Sequence, residues 1–324
     1  MNITETTATT ALQSVVDVLT DADHVTVLCH TRPDADTIGS GLAIAGALRS
    51  RGVVVEVSFP GPTVLPAALS ELPGAELLVD AAEVIGYPTV IAVDCASTHR
   101  LDGLSGVLES AHRSVVIDHH ASNNGFGTIN LVDPTADCTA ELVLAIIDAL
   151  DVPLDLAVAT CLYAGVVTDT GSFKWARPKS HRIAARLLEL GVDGRTWTRH
   201  LLDTHRFAWL GMVADALRSA VLVSDAFDGR GLVYAVVDHA STTALGWEES
   251  ESVVDIVRTT SEAEVAVVFK EAAPGEWTVS MRAKADVDLV PIARAHGGGG
   301  HQLACGYSAT GSADDVVGQL LNSV

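Results

Sequence analysis

The chain has 324 residues, enough for about two domains of roughly 100 to 200 residues each, which excludes a single small module. Hydrophobic residues make up 48% of the chain and charged residues 19%, a composition that excludes a disordered or fibrous protein. The formal net charge of −21 excludes a broad basic face for gripping long nucleic acid, so any phosphate-bearing partner should be small.

The cysteines and the N-terminal region indicate the cellular compartment of the protein. The five cysteines are an odd number and form no C-x-x-C pair, so a reducing compartment is expected. No basic residue precedes Arg32, and no run of eighteen apolar residues occurs, so neither a signal peptide nor a membrane span is predicted. We expect a cytoplasmic protein without a membrane partner.

The first part of the chain alternates β-branched runs with helical stretches rich in alanine and leucine. This pattern predicts βαβ units, and therefore a mainly parallel sheet with helices on both faces. Gly191 ends the last of these helices, as a C-terminal glycine commonly does. The predicted strands are residues 25–29, 53–59, 89–93 and 114–117, and the predicted helices are residues 38–49, 139–150 and 180–190.

The remaining chain predicts a connector and a second, smaller α/β domain. Residues 191–219 have helical spacing, aromatic side chains and no strand pattern. The expected divisions are therefore 1–190, 191–219 and 220–324. In the last of these, the predicted strands are residues 220–227, 231–237, 264–270 and 277–283, and the predicted helices are residues 249–258 and 287–295.

Histidine and aspartate residues follow the apolar runs of the first domain. The carboxyl ends of parallel strands share one edge of a sheet, so these side chains should converge there. Taken singly, each aspartate could be a helix cap or turn residue, and each histidine an ordinary surface or core residue. Their repetition at the ends of four runs interpreted as strands, the last of them residues 164–168, favours a shared site. The residues are His30, Asp34, Asp36, Asp94, Asp118, His119, His120 and Asp169.

This set suits hydrolysis assisted by two metal ions. Two divalent ions about 3.5 to 4 Å apart clamp a phosphate and activate a water for in-line attack. The donors are imidazole nitrogens and carboxylate oxygens without cysteine, which suits manganese(II) better than zinc or iron, while the imidazoles disfavour magnesium. We therefore expect two divalent cations per chain, with manganese(II) favoured.

The motifs resemble those of the DHH phosphoesterase superfamily. The matching segments are His30-Thr-Arg-Pro-Asp-Ala-Asp36, the isolated Asp94, Asp118-His-His120 and Asp169, and Gly297-Gly-Gly-Gly-His301 resembles the signature of the DHH-associated C-terminal domain. The length and domain pair are similar to those of bifunctional oligoribonucleases and pAp phosphatases. That resemblance implies cleavage of short oligoribonucleotides and of small nucleotides such as pAp, pApA or cyclic di-AMP to nucleoside monophosphates.

The resemblance also implies a role for each residue. His30, Asp34 and Asp94 would hold one metal ion, with Asp94 bridging to the second. The other ligands of the second ion would be Asp36, His119 and Asp169. His120 is expected to contact the scissile phosphate, and Asp118 to orient its neighbours.

A second group of candidate residues lies in the C-terminal domain and would bind substrate. Four consecutive glycines could be a flexible linker, but their mid-domain position favours a loop whose N–H groups bind an anion. Arg282 and Lys284 are two apart on a predicted strand, so they should share a side, although a solvated strand face remains an alternative. The resemblance implies that an arginine here grips a substrate phosphate. The set is Arg282, Lys284, Gly298, Gly299, Gly300 and His301.

Some alternatives stay open at this point. Thr139 is either the N-cap of a helix or a substrate contact. A single-strand DNA exonuclease would need a basic channel, which the net charge opposes, and an inorganic pyrophosphatase of the same superfamily would lack the glycine-histidine signature. A non-catalytic nucleotide-binding regulator should have lost ligands, and none is missing. The sequence leaves open the order of substrates and the oligomeric state, including a homodimer.

Overall fold

The structure is a computed structural model that describes residues 3–61 and 65–324, with side chains described from residue 9 onward. It divides into two compact units, Met1–Thr204 and His205–Val324. The division falls inside residues 191–219, the segment for which the sequence predicts a helical connector. Both units are of mixed α and β structure, which confirms the predicted fold class. No helix in the described part of the chain is long and apolar enough to cross a membrane.

The first unit contains a five-stranded sheet in which all neighbouring strands are parallel. Its strands are β1 (His24–Leu28), β2 (Val54–Ser58), β3 (Thr89–Val93), β4 (Arg113–Asp118) and β5 (Ile129–Val132). They lie in the order β2-β1-β3-β4-β5. Every residue of β3 is buried, as is typical of a central parallel strand that is covered on both faces.

Helices cover both faces of this sheet. The helices are α1 (Ile3–Thr20), α2 (Ala35–Ser50), α3 (Ala67–Ser70), α4 (Ser105–Glu109), α5 (Thr139–Ala149), α6 (Leu156–Asp169), α7 (Pro178–Glu189) and α8 (Gly194–Leu202), with 3₁₀ helices at Ala75–Leu77, Ala81–Glu83 and Thr98–Leu104. Ile91 and Val93 of β3 belong to a large core that includes α2, α5 and α6. Val90 and Ala92 belong to a smaller core, which α4 and the last 3₁₀ helix close.

In this unit one predicted strand is wrong and one strand was missed. Residues 164–168 are not a strand but belong to α6, and Asp169 is the last residue of that helix. Because nearly all of α6 is buried, it has no polar face, and an apolar run alone does not separate a buried helix from a strand. Strand β5 was not predicted, because it is a short edge strand whose residues are mostly half-buried.

The second unit contains a six-stranded sheet in the order β10-β11-β9-β8-β7-β6, in which only β7 and β8 run parallel. Its strands are β6 (Val221–Val223), β7 (Leu232–Val237), β8 (Val265–Ala273), β9 (Glu276–Ala283), β10 (Gly299–His301) and β11 (Ala304–Thr310). Its helices are α9 (Phe207–Arg218), α10 (Ala226–Gly229), α11 (His239–Leu245), α12 (Trp247–Glu251), α13 (Val253–Val257), α14 (Val290–Ala295) and α15 (Ala313–Leu321).

The elements of this unit also differ from the prediction in places. The strand predicted at 220–227 is reduced to β6, because Phe227 and Asp228 adopt positive φ angles in the turn α10. The helix predicted at 249–258 is two short helices, α12 and α13, that meet at Ser252. Strands β10 and β11 were not predicted, because glycine is depleted in strands and hides the pattern.

Candidate metal centre

Three neighbouring strands of the first unit end beside one another, at the edge where the polar residues follow them. His30 lies two residues after β1, Asp94 directly follows β3, and β4 ends at Asp118, before His119 and His120. Because β1, β3 and β4 are adjacent and parallel, their carboxyl ends share one edge of the sheet. The structure therefore brings these side chains together although they are far apart in the chain.

The first group of candidate ligand atoms comes from His30, Asp34 and Asp94. His30 Nε2 lies 3.4 Å from Asp34 Oδ2 and 3.4 Å from Asp94 Oδ2. Asp34 is the N-cap of α2, and its side chain accepts hydrogen bonds from the backbone N–H groups of Asp36 and Thr37. The three residues offer ligand atoms within 4.8 Å of one another, close enough for one metal ion.

The second group comes from Asp36, Asp94, His119 and Asp169. His119 Nε2 lies 3.5 Å from Asp94 Oδ1 and 3.3 Å from Asp169 Oδ2. Its distance to Asp36 Oδ2 is 4.0 Å. Asp36, Asp94 and His119 again offer ligand atoms within 4.8 Å of one another. The two groups share Asp94, whose Oδ2 faces His30 and whose Oδ1 faces His119.

The backbone at Asp94 adopts an unusual conformation that aims its carboxylate. Its φ angle is 59°, in the left-handed region that residues other than glycine rarely occupy. The Asp94 N–H donates to the Ile117 carbonyl oxygen at 2.9 Å, and Asp94 Oδ1 accepts a 2.8 Å hydrogen bond from Thr139 Oγ1. Strained backbone of this kind concentrates at functional sites, where the surrounding structure holds it.

The N-terminus of α5 binds the buried carboxylate of Asp36. The N–H of Thr139 donates to Asp36 Oδ2 at 2.6 Å, and the N–H of Ala140 donates to Asp36 Oδ1 at 3.0 Å. These first-turn N–H groups have no partner within their own helix, and the helix dipole favours a negative charge there. Cys138 is the N-cap, so the N-cap alternative for Thr139 is wrong: Thr139 begins the helix and contacts two aspartates.

Two glycines allow α2 and α6 to approach closely. A Cβ atom at Gly39 on α2 would overlap the carbonyl oxygen of Cys161 on α6, and a Cβ atom at Gly165 on α6 would overlap the carboxylate of Asp36. The contact between these helices brings Asp36, in the first turn of α2, close to Asp169 at the end of α6. The structure thus uses glycine, not a strand end, to bring Asp169 into the site.

Gly165→Ala tests this close approach. We expect the added methyl group to displace Asp36, to destabilise the fold by about 1 to 3 kcal/mol as an overpacked core does, and to weaken metal binding. Thermal unfolding and metal analysis measure both effects. Gly106→Ala is the matched control, because a Cβ atom there meets no described atom within 4 Å. Wild-type stability and metal content in Gly165→Ala would contradict the prediction.

His120 is held in one orientation by Asp118. His120 Nδ1 lies 2.7 Å from Asp118 Oδ1, and the amide of Asn123 donates to Asp118 Oδ2 at 2.6 Å and to the Cys95 carbonyl oxygen at 2.9 Å. Burial raises the pKa of Asp118, but its contacts with His120 and Asn123 outweigh that effect and keep the pKa well below its usual value. The sequence did not single out Asn123, although it lies only three residues after the histidine pair.

The shifted pKa values of the second group indicate that too little positive charge lies near its buried carboxylates. Burial and the charges of Asp169 and Asp94 raise the pKa of Asp36 well above its usual value. Burial raises the pKa of Asp169 to about 6 although its contact with His119 opposes the shift. Burial lowers the pKa of His119, but Asp169 and Asp94 raise it well above its usual value. A divalent cation would supply the positive charge that these buried carboxylates need, so the donor set fits such an ion.

Arg100 is a neighbour of His30 that the sequence analysis missed. Arg100 Nη2 lies 2.8 Å from His30 Nδ1, and the Arg100 carbonyl oxygen accepts a hydrogen bond from the N–H of Thr31. Burial and Arg100 lower the pKa of His30, but Asp34 and Asp94 raise it to about 9. Arg100 lies 70 positions from His30, in a 3₁₀ helix, and no local pattern connects the two residues.

In the second unit, Arg282 and His301 share a sheet face. Both lie opposite Ala304 of β11, Arg282 on β9 to one side and His301 on β10 to the other. Lys284 lies beyond the end of β9, and its Nζ donates to the Thr260 carbonyl oxygen at 2.5 Å. The structure therefore groups Arg282 with His301 and does not bring Lys284 to them.

The glycine run forms part of a hairpin instead of an open loop. Gly299 and Gly300 belong to β10 and pair with Gly306 and Cys305 of β11. A Cβ atom at Gly298 would overlap the Gly306 carbonyl oxygen, so the two chain segments could not approach as they do with larger residues. Here glycine is required for close strand packing, which the sequence interpretation as an anion-binding loop did not include.

The fold of the first unit and its buried cluster of histidines and aspartates are those of a metal-dependent hydrolase. Residues 24–166 match the N-terminal domain of the DHH family, and residues 229–324 match the DHHA1 domain. The bifunctional oligoribonuclease and PAP phosphatase of Thermus thermophilus is 33% identical over 291 residues, covering 88% of this chain and 84% of that protein. The chain therefore belongs to the DHH family, which confirms the resemblance and the predicted class of enzyme.

Two further similarities agree with this assignment. The cyclic-di-AMP phosphodiesterase of Geobacillus thermodenitrificans is 26% identical over 311 residues, covering 88% of this chain and 44% of that protein. The crystal structure of an exopolyphosphatase-related protein from Bacteroides fragilis has a TM-score of 0.84 at 22% identity, covering 97% of this chain and 96% of that one. The second similarity shows that the fold is shared over nearly the whole of both chains.

Proposed function

We propose that the protein uses two divalent ions, preferably manganese(II), to hydrolyse short oligoribonucleotides and small nucleotides such as pAp, pApA or cyclic di-AMP to nucleoside monophosphates. The observation that carries this proposal is the position of Asp94, whose two oxygens face the histidines of two separate ligand groups. The names of the relatives support hydrolysis of such substrates. The net charge of −21 favours small substrates over long strands.

Each residue of the cluster has a place in this proposal. His30, Asp34 and Asp94 would hold one ion, and Asp36, Asp94, His119 and Asp169 would hold the other. When bound, two such ions supply Lewis acidity and lower the pKa of a water that attacks phosphorus. His120, fixed by its bond to Asp118, donates a hydrogen bond to the scissile phosphate.

The second unit supplies substrate-binding groups in this proposal. Arg282 and His301 share a face of its sheet, and an arginine binds a phosphate through charge-assisted hydrogen bonds. We assign catalysis to residues 1–190, the connection to 191–219 and substrate binding to 220–324. A cytoplasmic location fits the cysteines, which are all buried free thiols.

Metal removal and a substrate panel test the proposal together. We expect activity to vanish after dialysis against chelator and to return best with manganese(II), with about two ions bound per chain by metal analysis. With manganese(II), pAp, pApA and RNA of two to four nucleotides should be cleaved faster than RNA of 24 nucleotides, because longer strands add repulsion without added contacts. Full turnover in excess chelator would overturn the two-metal mechanism. Preferred cleavage of long single-stranded DNA or of pyrophosphate would replace the proposed substrates.

A further inference from the structure

One face of the second sheet is apolar on one half and polar on the other. On β7 and β8 this face belongs to a core that α9, α11 and α13 cover. Ala266 and Val268 of β8 belong to that core, and they lie opposite Arg282 and Ser280 of β9. Opposite residues of an antiparallel pair share a face, so Ser280 and Arg282 continue the same face beyond the apolar core.

The strands on the far side of β9 leave space above Ser280. Gly306 lies opposite Ser280, and Gly299 lies opposite Gly306, so a row of two glycines ends at Ser280. Apart from its two chain neighbours, a Cβ atom at Gly306 would have the Val279 carbonyl oxygen as its nearest neighbour at 3.0 Å, with no other described side chain within 4 Å. We call the depression bordered by Gly299, Gly306, Ser280 and Arg282 the glycine trough. A ligand can approach the backbone closely there.

Lys270 supports Ser280 from within the fold. Its side chain is almost completely buried, with 3% of the residue exposed. Lys270 Nζ lies 2.8 Å from Ser280 Oγ and 2.5 Å from Glu251 Oε2. An ammonium group carries donors and no acceptor, so the hydrogen bond runs from Lys270 to the Ser280 oxygen. Glu251 supplies the opposite charge that a buried lysine requires.

This arrangement determines which way the Ser280 hydroxyl points. Since its oxygen accepts from Lys270, its own proton is directed to a different group. Within residues 3–61 and 65–324 the structure gives that proton no acceptor, although 8% of the Ser280 surface is exposed. A hydroxyl polarised by a cation and placed next to Arg282 suits an anionic oxygen.

We propose that Ser280 donates a hydrogen bond to a non-scissile phosphate of the substrate, and that Lys270, paired with Glu251, is the positioning residue that fixes Ser280 as a donor. This inference rests on the proposed function, which assigns substrate binding to the second unit. Ser280 and Arg282 then contact the same phosphate from adjacent positions of one strand face.

Two substrates that differ by one phosphate test the inference. For pApA, Ser280→Ala should raise KM about three- to tenfold and leave kcat unchanged, whereas KM for ApA, which lacks the 5′-phosphate, should not change. Lys270→Met should raise KM for pApA in the same way. The double variant should be no worse than Ser280→Ala alone, because the lysine acts through the serine. Ser280→Thr keeps the hydroxyl and should restore most of the affinity.

Ser308→Ala is the matched control, because Ser308 lies on the same face, opposite Thr278, outside the glycine trough. Thermal unfolding checks that each variant is folded. If Lys270→Met does not fold, Ser280→Ala alone decides the question. A wild-type KM for pApA in Ser280→Ala, or an equal loss with both substrates, overturns the inference and leaves the proposed function intact. If the wild type cleaves neither pApA nor ApA, the proposed function is contradicted. Calorimetric titration with AMP still tests the inference: a Kd raised three- to tenfold by Ser280→Ala supports it, and an unchanged Kd overturns it.

Discussion

Asp94→Ala is expected to lower kcat by about 10³-fold or more, the largest loss for a single substitution in the first unit. Asp94 is the residue that both ligand groups share, with one oxygen toward His30 and the other toward His119. Its removal leaves each histidine without a carboxylate on that side. Metal content should therefore fall from about two ions per chain to one or none, measured by elemental analysis after dialysis.

The control for this prediction is Asp155→Asn. Asp155 caps α6 by accepting a hydrogen bond from the N–H of Val158, and asparagine is an equally good N-cap. This variant loses one negative charge from the same unit, so metal content and kcat should stay at the wild-type level. An Asp94→Ala protein that keeps most of its kcat would show that the shared-ligand assignment is wrong.

The strand-end residues could be predicted from sequence because their signal is local. In β3, five buried apolar or β-branched residues are followed at once by Asp94, and in β4 a similar run is followed by the histidine pair. A parallel sheet places such ends side by side whatever the strand order, so convergence follows without tertiary detail. The same argument led to a wrong secondary structure for residues 164–168, because a helix that is buried all around gives the same apolar run as a strand.

The contacts that aim the site could not be predicted, because they join segments that only the tertiary fold brings together. Thr139 reaches Asp36 across 103 positions of the chain, and no pattern at either residue indicates the other. Gly165 shows its role only when α2 is seen against α6. In the second unit, pairing of β9 with β11 places Gly306 beside Ser280, which spacing within either strand cannot reveal.

Arg282→Ala is expected to raise KM for short oligoribonucleotides roughly tenfold to hundredfold, because losing a charge-assisted hydrogen bond costs about 1.5 to 3 kcal/mol of binding free energy. The kcat and the metal content should change little, since Arg282 lies on β9 of the second unit and the ligand groups lie in the first. Steady-state kinetics with pApA and metal analysis measure the two effects separately.

Arg218→Ala provides the control for charge in this last comparison. Arg218 ends α9 in the same unit, is exposed and pairs with Asp215, so its replacement removes one positive charge from an exposed helix end. Because exposed ion pairs contribute little, KM should stay near the wild-type value. If Arg282→Ala instead removes the metal ions and spares KM, Arg282 supports the fold and does not bind phosphate. If Arg218→Ala raises KM as much as Arg282→Ala does, long-range attraction binds the substrate, and Arg282 makes no specific contact.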